Sequence, residues 1–301
     1  MLQRIGDYCA TKNKTIHRFV IWNRSRIDRL KARRASKENS RFSMQFCVLG
    51  IMKNEARNIV EYVSHYRWQG AEKIYLIDNG STDETLELIK PFLEDGTVEL
   101  VQLHQRWKQA QHYWSAIKKF DIRKKAKWLL IADIDEFWFA KDGKRISDHL
   151  QNMDHADLIY ANWTVFGSSG CEKHPQSLRL DLTKCIPDLG SDLHTKWIVR
   201  THALKRYNQL RVHKVRGVRS SHTYTKNDIF QLNQYHTQSK EFWIDVKMKR
   251  GDVHNPLFDD MRQIAQFEEL DAACSKTDHK LKNYVVESIN YNPRKLDEYV
   301  V

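Results

Sequence analysis

Short apolar segments alternate with helically patterned ones through the first half of the chain. Apolar residues recur at helical spacing over residues 54–70, 83–94 and 109–125. The segments beside them are short, largely apolar and bounded by polar residues, which is typical of buried strands, and they cover residues 45–52, 73–77, 98–103 and 127–132. This alternation predicts an α/β fold, in which a Rossmann-like, mostly parallel central sheet carries helices on both faces.

The second half of the chain has a weaker pattern. It predicts strands at 157–165, 197–201 and 209–215, helices at 242–250 and 259–273, and little regular structure after residue 278. A further helical pattern covers residues 14–36 and is followed by a polar segment before the first strand. We therefore expect a basic helical extension at 1–44, one α/β domain at 45–275 and a C-terminal tail at 276–301.

The positive charge of the chain is concentrated in that extension. The 301 residues have a formal net charge of +12. Residues 1–44 contain twelve Lys or Arg and three Asp or Glu, a net charge of +9, which leaves +3 for the rest. Three interpretations stay open: a helix packed on the domain, a helix on an anionic membrane surface, or a helix that binds nucleic acid. The near-neutral remainder, without a known nucleic-acid-binding motif, makes nucleic acid the least favoured partner.

Several functional classes are disfavoured by what the sequence lacks. No apolar run approaches the roughly 20 residues that span a bilayer, and the first residues have no apolar signal-peptide core. The five cysteines are scattered, and no CxxC pair occurs among them. The glycine-rich motifs of dinucleotide sites and P-loops are also missing. We expect a cytoplasmic protein without disulfides, with the inner face of the membrane as an alternative location.

Polar residues gather directly after three of the predicted strands. Asn54 and Glu55 follow the first strand, residues 78–83 (DNGSTD) follow the second, and residues 133–136 (DIDE) follow the fourth. Ligands of open parallel sheets bind at the carboxyl ends of the strands. We therefore expect these three clusters to open onto one crevice.

The two aspartates of the DIDE segment are the strongest candidates for chemistry. Asp133 and Asp135 are two residues apart, so an extended backbone places both carboxylates on one side. Two close carboxylates repel unless a positive charge lies between them, and hard oxygen ligands favour Mg²⁺ or Mn²⁺. The alternative is a pair of loop or helix-capping aspartates.

Asp78 is the second candidate. A carboxylate at this strand end can accept a hydrogen bond from a nucleobase or from a ribose hydroxyl. The alternative is a turn into the next helix with Ser81 or Thr82 as N-cap, and the two interpretations are compatible.

Together these motifs resemble a known enzyme family. The segments MKNE, YLIDNGSTDET and LLIADIDEFWF, with the later WTVFGSSG and YHTQSKEFWIDVKMKRGD, are similar to nucleotide-sugar glycosyltransferases of the GT-A fold. The resemblance is to family 2 and, more closely, to family 92, and it covers about residues 46–251.

The resemblance implies an inverting transfer of a hexose from a nucleoside diphosphate sugar, with a UDP-sugar as the expected donor. The implied acceptor is a saccharide or glycolipid, in surface polysaccharide or lipopolysaccharide synthesis. The implied cofactor is Mn²⁺ or Mg²⁺, held by Asp133, Asp135 and His236, with Lys247 and Arg250 facing the diphosphate. The implied donor-binding residues are Asn54, Glu55, Asp78, Asn79, Gln111 and Asp133.

An inverting reaction also needs a general base. Glu172, directly after FGSSG, is the first candidate and Asp181 is the second. Two alternatives to an enzyme stay open: a catalytically silent GT-A module that only binds a partner, and a nucleic-acid-binding protein that acts through the basic helix.

Deletion of residues 1–36 tests the membrane interpretation of the extension. We expect the truncated chain to bind phosphatidylserine liposomes more weakly, because most of the net charge is removed, and to keep its hydrolysis of donor sugar. Liposome co-sedimentation and a hydrolysis assay measure the two effects. Failure of the truncated chain to fold would instead support a helix packed on the domain.

Overall fold

The structure is a computed structural model that describes residues 41–105, 108–187, 194–250 and 263–291. The chain divides into two units, residues 1–43 and residues 44–301. The helix predicted at 14–36 lies outside the described residues, so the domain boundaries drawn from the sequence stay predictions. All strands described below belong to the second unit.

Four parallel strands form the first half of the sheet. They are β1 (Met44–Met52), β2 (Lys73–Asp78), β3 (Val98–Gln102) and β4 (Ala126–Ile131). Their order is β3-β2-β1-β4, and all three pairings are parallel. The seven residues of β1 from Phe46 onward and all of β4 are buried, as expected for strands with both faces covered. The four strands predicted from the first half are thus confirmed.

The helices of the first half are shorter than predicted. The segment 83–94 forms two helices, because Pro91 lies in the first turn of the second and cannot donate a backbone hydrogen bond. The segment 109–125 breaks at Asp121, whose φ is +54°. The helices are α1 (Ile59–Trp68), α2 (Thr85–Leu88), α3 (Lys90–Glu94), α4 (Gln109–Lys119) and α5 (Ile122–Lys125).

Beyond β4 the sheet becomes mixed. The remaining strands are β5 (Glu136–Ala140), β6 (Leu158–Phe166), β7 (Lys184–Cys185), β8 (Thr195–Arg200), β9 (Thr223–Thr225), β10 (Phe230–Tyr235) and β11 (Lys276–Thr277). Strand β8 runs antiparallel to both β4 and β6, whereas β10 runs parallel to β6 and antiparallel to β5. The α/β prediction is confirmed: all pairings among the strands of the first half are parallel, and those of the second half are of both kinds.

Three details of the second half differ from the sequence-based expectation. The strands β5 and β10 and the short strands β7, β9 and β11 were not predicted. The strand predicted at 209–215 is wrong, because only one bridge, between Leu210 and Val215, forms there. The segment after residue 278, expected to lack pattern, contains a helix that packs through Leu281 and Val285. The helices of this half are Ile146–Leu150, Leu178–Asp181, Lys240–Phe242, a π-helical turn at Trp243–Lys247, Met248–Arg250, Ile264–Ala273 and Lys280–Tyr291.

None of the helices in the described ranges combines the length and the apolar character that a membrane span requires.

A buried ion pair fastens α1 to the helix Leu178–Asp181. The Glu61 carboxylate accepts hydrogen bonds from Arg179 Nε at 2.8 Å and from the Leu178 N–H at 2.9 Å. The Glu61 and Arg179 side chains are 4% and 1% exposed. A carboxylate and a guanidinium removed from water this completely are stable only together.

Glu61→Ala should therefore lower the free energy of unfolding by about 3–5 kcal/mol, because it leaves a buried guanidinium without its carboxylate. Urea denaturation measures this loss. Glu87→Ala is the control, since its salt bridge to Lys90 is exposed, and we expect a change under about 1 kcal/mol. Equal losses in the two variants would contradict the role of burial.

Candidate functional site

The loops after β1 and β2 are bonded to each other at the carboxyl edge of the sheet. The Asn54 Oδ1 atom accepts the Thr82 N–H at 2.8 Å, and the Asn54 N–H donates to the Ser81 hydroxyl at 3.1 Å. Asn54 has a φ of +54°, a left-handed conformation that asparagine tolerates better than most residues. Two of the predicted polar clusters are thus neighbours, as the sequence led us to expect.

Asp78 is 1% exposed and lies at the base of these loops. Its Oδ1 atom accepts the Ser81 N–H at 2.9 Å, and its Oδ2 atom is 3.9 Å from His104 Nε2. The helix that follows begins differently from the sequence-based alternative. Asp83, rather than Ser81 or Thr82, accepts the Thr85 N–H, at 3.1 Å.

Glu55 and Asn79 support the backbone of the same edge. Glu55 is buried, and its Oε2 atom accepts Asn58 Nδ2 at 2.9 Å. Asn79 is also buried and donates its side-chain amide to the Leu103 carbonyl. These side-chain contacts are with Asn58 and with the Leu103 carbonyl, and the predicted role of Glu55 and Asn79 in donor binding stays a prediction.

A cleft of about 400 Å³ opens beside these loops. Its walls come from the ends of β1 and β2 and from the helical segment around the π-turn. A cleft at the carboxyl ends of parallel strands is where α/β sheets bind ligands. The residues that line it are Lys53, Asn54, Gly80, Thr82, Asp83, Asp245, Val246 and Lys249.

Asp133 is held by a buried lysine from β8. The Lys196 ammonium lies 2.6 Å from Asp133 Oδ2, and the lysine side chain is 0% exposed. The other carboxylate oxygen of Asp133 accepts the Tyr113 hydroxyl at 3.1 Å. Gln109 Nε2 is 3.4 Å from the same oxygen. Helix α4 presents Gln109 and Tyr113 on one face because they are four residues apart.

Glu136 is a second carboxylate partner of Lys196. It is 0% exposed, and its carboxylate accepts the Asp133 N–H at 3.0 Å and the Trp163 indole N–H at 2.9 Å. Its Oε1 atom is 3.4 Å from the Lys196 ammonium. Burial raises the pKa of Glu136, even though Lys196 acts in the opposite direction. Burial would lower the pKa of Lys196, but the Asp133 and Glu136 carboxylates outweigh it and raise that pKa.

Asp135 is held by a second lysine. The Lys247 ammonium lies 2.8 Å from Asp135 Oδ2 and donates to the His236 carbonyl at 2.6 Å. The Lys247 and Asp135 side chains are 4% and 15% exposed. The backbone of His236 is therefore next to Asp135. The imidazole Nδ1 atom of His236 lies 3.4 Å from Gln234 Nε2. The centroid of the same ring is 5.9 Å from that of Trp243.

The predicted divalent cation does not fit this arrangement of side chains. Carboxylate oxygens and an imidazole suit Mn²⁺ or Mg²⁺ by chemistry. However, one oxygen of Asp133 and one of Asp135 already bind an ammonium group. Within the described ranges, no three His, Cys, Asp or Glu side chains are grouped as a metal site. The metal set Asp133, Asp135 and His236 stays a prediction from the sequence, and the lysine contacts speak against it.

Within the described ranges, three other predicted site residues are not among the observed contacts of Asp133, Asp135 and their two lysines. Gln111 is exposed, since it is two residues from Gln109 and so points away from the face of α4 that meets Asp133. Glu172 is 77% exposed and 3.6 Å from Lys240. Asp181 is exposed and accepts the Ser177 N–H at 3.2 Å, at the start of its own helix.

The sequence-based analysis missed Lys196 and Tyr113, and it included Glu136 only as a member of the DIDE cluster without a role of its own. Lys196 had a visible signal, because it is a single charge at the start of the apolar strand TKWIV, where burial requires an anionic partner.

Trp163 also borders the cluster, and its ring meets His194 and His213 edge-on at 5.0 and 5.2 Å. Burial, and then the charge of Lys196, lowers the pKa of His213 to about 4.

Comparison with known proteins identifies a family. The model of glycosyltransferase family 92 matches residues 43–297. A family 92 protein of Ricinus communis is 24% identical over 135 residues, which are 44% of this chain and 24% of that protein. A second one, from Oryza sativa subsp. japonica, is 25% identical over 146 residues, 48% of this chain and 25% of that protein. The alignments thus span about a quarter of the length of these curated relatives.

Solved structures show a loose likeness. The S. aureus TarS fragment 1–349 superposes with a TM-score of 0.41 at 16% identity, over 84% of this chain and 75% of that one. The same fragment in complex with UDP-GlcNAc gives a TM-score of 0.42 at 15% identity, over 85% and 84% of the two chains.

A double-mutant cycle tests the pairing of Asp133 with Lys196. We expect Asp133→Asn and Lys196→Met to be coupled by more than about 1 kcal/mol in the free energy of unfolding, because the two groups form an ion pair in which the lysine is fully buried. The exposed pair Asp121–Lys124 is the control, with an expected coupling under about 0.5 kcal/mol. Additive losses at Asp133 and Lys196 would contradict the contact.

Proposed function

Because the chain belongs to glycosyltransferase family 92, we propose that it transfers a hexose from a nucleoside diphosphate sugar to a hydroxyl group of a saccharide or glycolipid. The observation that carries this proposal is the position of the family match. It spans residues 43–297 and so includes the loops after β1 and β2, the cleft beside them and both lysine–aspartate pairs. The GT-A-type α/β fold expected from the motifs agrees with this membership.

The cleft at the ends of β1 and β2 is the proposed place of the nucleotide. Its volume of about 400 Å³ is within the range of small-molecule sites. Lys53 and Lys249 line it and supply positive charge suited to a diphosphate. Asp78, at the base of the adjoining loops, is the proposed acceptor for a nucleobase N–H. Asn54 supplies an amide at the rim.

The aspartate cluster is the proposed place of the sugar. Asp135 is the more exposed partner of its ion pair, and a carboxylate there can accept a hydrogen bond from a sugar hydroxyl. Trp163, bonded to Glu136, offers an aromatic surface of the kind on which sugar rings stack. Inversion at the anomeric carbon, the use of UDP in particular, and a role in surface polysaccharide or lipopolysaccharide synthesis are parts of the proposal that rest on the resemblance.

Inversion requires a base that takes the proton of the acceptor hydroxyl. Glu172 and Asp181 keep this role only as predictions, because their observed contacts are with Lys240 and with the Ser177 N–H. Substitution of each by the corresponding amide, with hydrolysis and transfer measured separately, would identify a base by loss of transfer.

A panel of UDP- and GDP-sugars tests the proposal. Thermal stabilisation reports donor binding, and release of nucleoside diphosphate reports hydrolysis. We expect stabilisation and hydrolysis with at least one UDP-hexose. Binding without turnover in the presence of candidate acceptors would indicate the silent binding module, and stabilisation by none of the sugars would contradict the proposal.

Asp135→Asn should lower the hydrolysis rate by about 100-fold, because the amide keeps the shape of the side chain but loses the charge that orients Lys247 and accepts a sugar hydroxyl. A lower melting temperature is also expected, because the 4% exposed Lys247 loses the charge of its partner, so hydrolysis is compared at a temperature where circular dichroism shows both proteins to be folded. Asp121→Asn, an exposed carboxylate, is the matched control. Unchanged hydrolysis in Asp135→Asn would remove Asp135 from the site.

A further inference from the structure

Each aspartate of the DIDE segment has its own buried ammonium group. Lys196 lies 2.6 Å from Asp133 and Lys247 lies 2.8 Å from Asp135. The two lysines come from different parts of the chain, one from β8 and the other from the π-helical turn Trp243–Lys247. Each of these two segments thus supplies a positive charge that reduces the repulsion between the neighbouring carboxylates.

Both lysines are fixed by their surroundings. Lys196 is 0% exposed, and its backbone is paired with Ala161 in the sheet. Lys247 is 4% exposed and is anchored to the His236 carbonyl at 2.6 Å. A divalent cation bound by both carboxylates would compete with these two ammonium groups. It would leave two buried positive charges beside a third one, which is electrostatically unfavourable.

We infer that Lys196 and Lys247 take the place of a divalent cation on Asp133 and Asp135, so that sugar transfer by this chain needs no metal. The inference rests on the proposed function, because it concerns the same site. In the transfer step the acceptor oxygen forms a bond to the anomeric carbon and gives its proton to the base, while the bond between that carbon and the diphosphate breaks and the diphosphate leaves with the electron pair. Lys196 and Lys247 neutralise the two aspartates, and Lys53 and Lys249, which line the cleft, balance the charge of the leaving diphosphate.

Titration with Mn²⁺, followed by electron paramagnetic resonance, tests the inference on the full chain without donor. We expect weak binding by the wild-type protein. Lys247→Met and Lys196→Met should each bind Mn²⁺ at least about tenfold more tightly, because the carboxylates lose their ammonium partners. If Lys196→Met fails to fold, Lys247→Met, whose lysine lies in the helical segment rather than in the sheet, still decides the result.

The matched control is Lys127→Met, at the opposite end of β4. Lys127 is 1% exposed and lies 3.0 Å from Asp154, so it is also a buried lysine paired with a carboxylate. Arg200 remains 2.8 Å from Asp154 after the substitution. We expect Lys127→Met to bind Mn²⁺ as weakly as the wild-type protein.

Calorimetric titration with UDP in EDTA and in Mn²⁺ completes the experiment. Affinities equal within about twofold support the inference. Tight binding of one Mn²⁺ by the wild-type protein, or no gain in either lysine variant, would overturn it. Absence of UDP binding in both buffers would contradict the uridine donor of the proposed function instead, while the Mn²⁺ titration would still decide what the two lysines do.

Discussion

The ion pair between Lys196 and Asp133 is the interaction on which the site depends. A carboxylate at the end of a fully buried strand is costly unless a positive charge accompanies it, and β8 supplies that charge from within the sheet. The same ammonium reaches Glu136, whose carboxylate in turn holds the Asp133 N–H and the Trp163 indole. One lysine therefore fixes the loop after β4 against two neighbouring strands.

The strands of the mixed second half position the partners of the two aspartates. Strand β8 can bring Lys196 to Asp133 because it lies beside β4. Strand β6 brings Trp163 to Glu136 through β10, which pairs with β6 on one side and with β5 on the other. Strand β10 then leads to His236, whose carbonyl anchors Lys247 next to Asp135. The parallel half supplies the aspartates, and the mixed half supplies their partners.

The cleft and the cluster around Asp133 and Asp135 lie at the same edge of the sheet, because both halves of the sheet contribute to them. The loops after β1 and β2 are fastened to each other by Asn54, and they form one wall of the cleft. The segment that carries Lys247 also contributes Asp245 and Lys249 to that cleft. A nucleotide in the cleft would thus lie beside the same short segment that neutralises Asp135, which links donor binding to the lysine pairs.

The sequence by itself determined the four parallel strands, the three polar strand ends and the family resemblance, because these depend on local apolar patterning and on contiguous motifs. It also indicated Asp78, Asp133 and Asp135 as residues of one edge. Only the tertiary structure decided their partners, since Lys196 and Lys247 are 63 and 112 residues away from the aspartates they hold. It likewise turned Gln109 rather than Gln111 toward Asp133 and placed Glu172 and Asp181 among other contacts. Long-range pairing of charges depends on strand order, which local patterning does not encode.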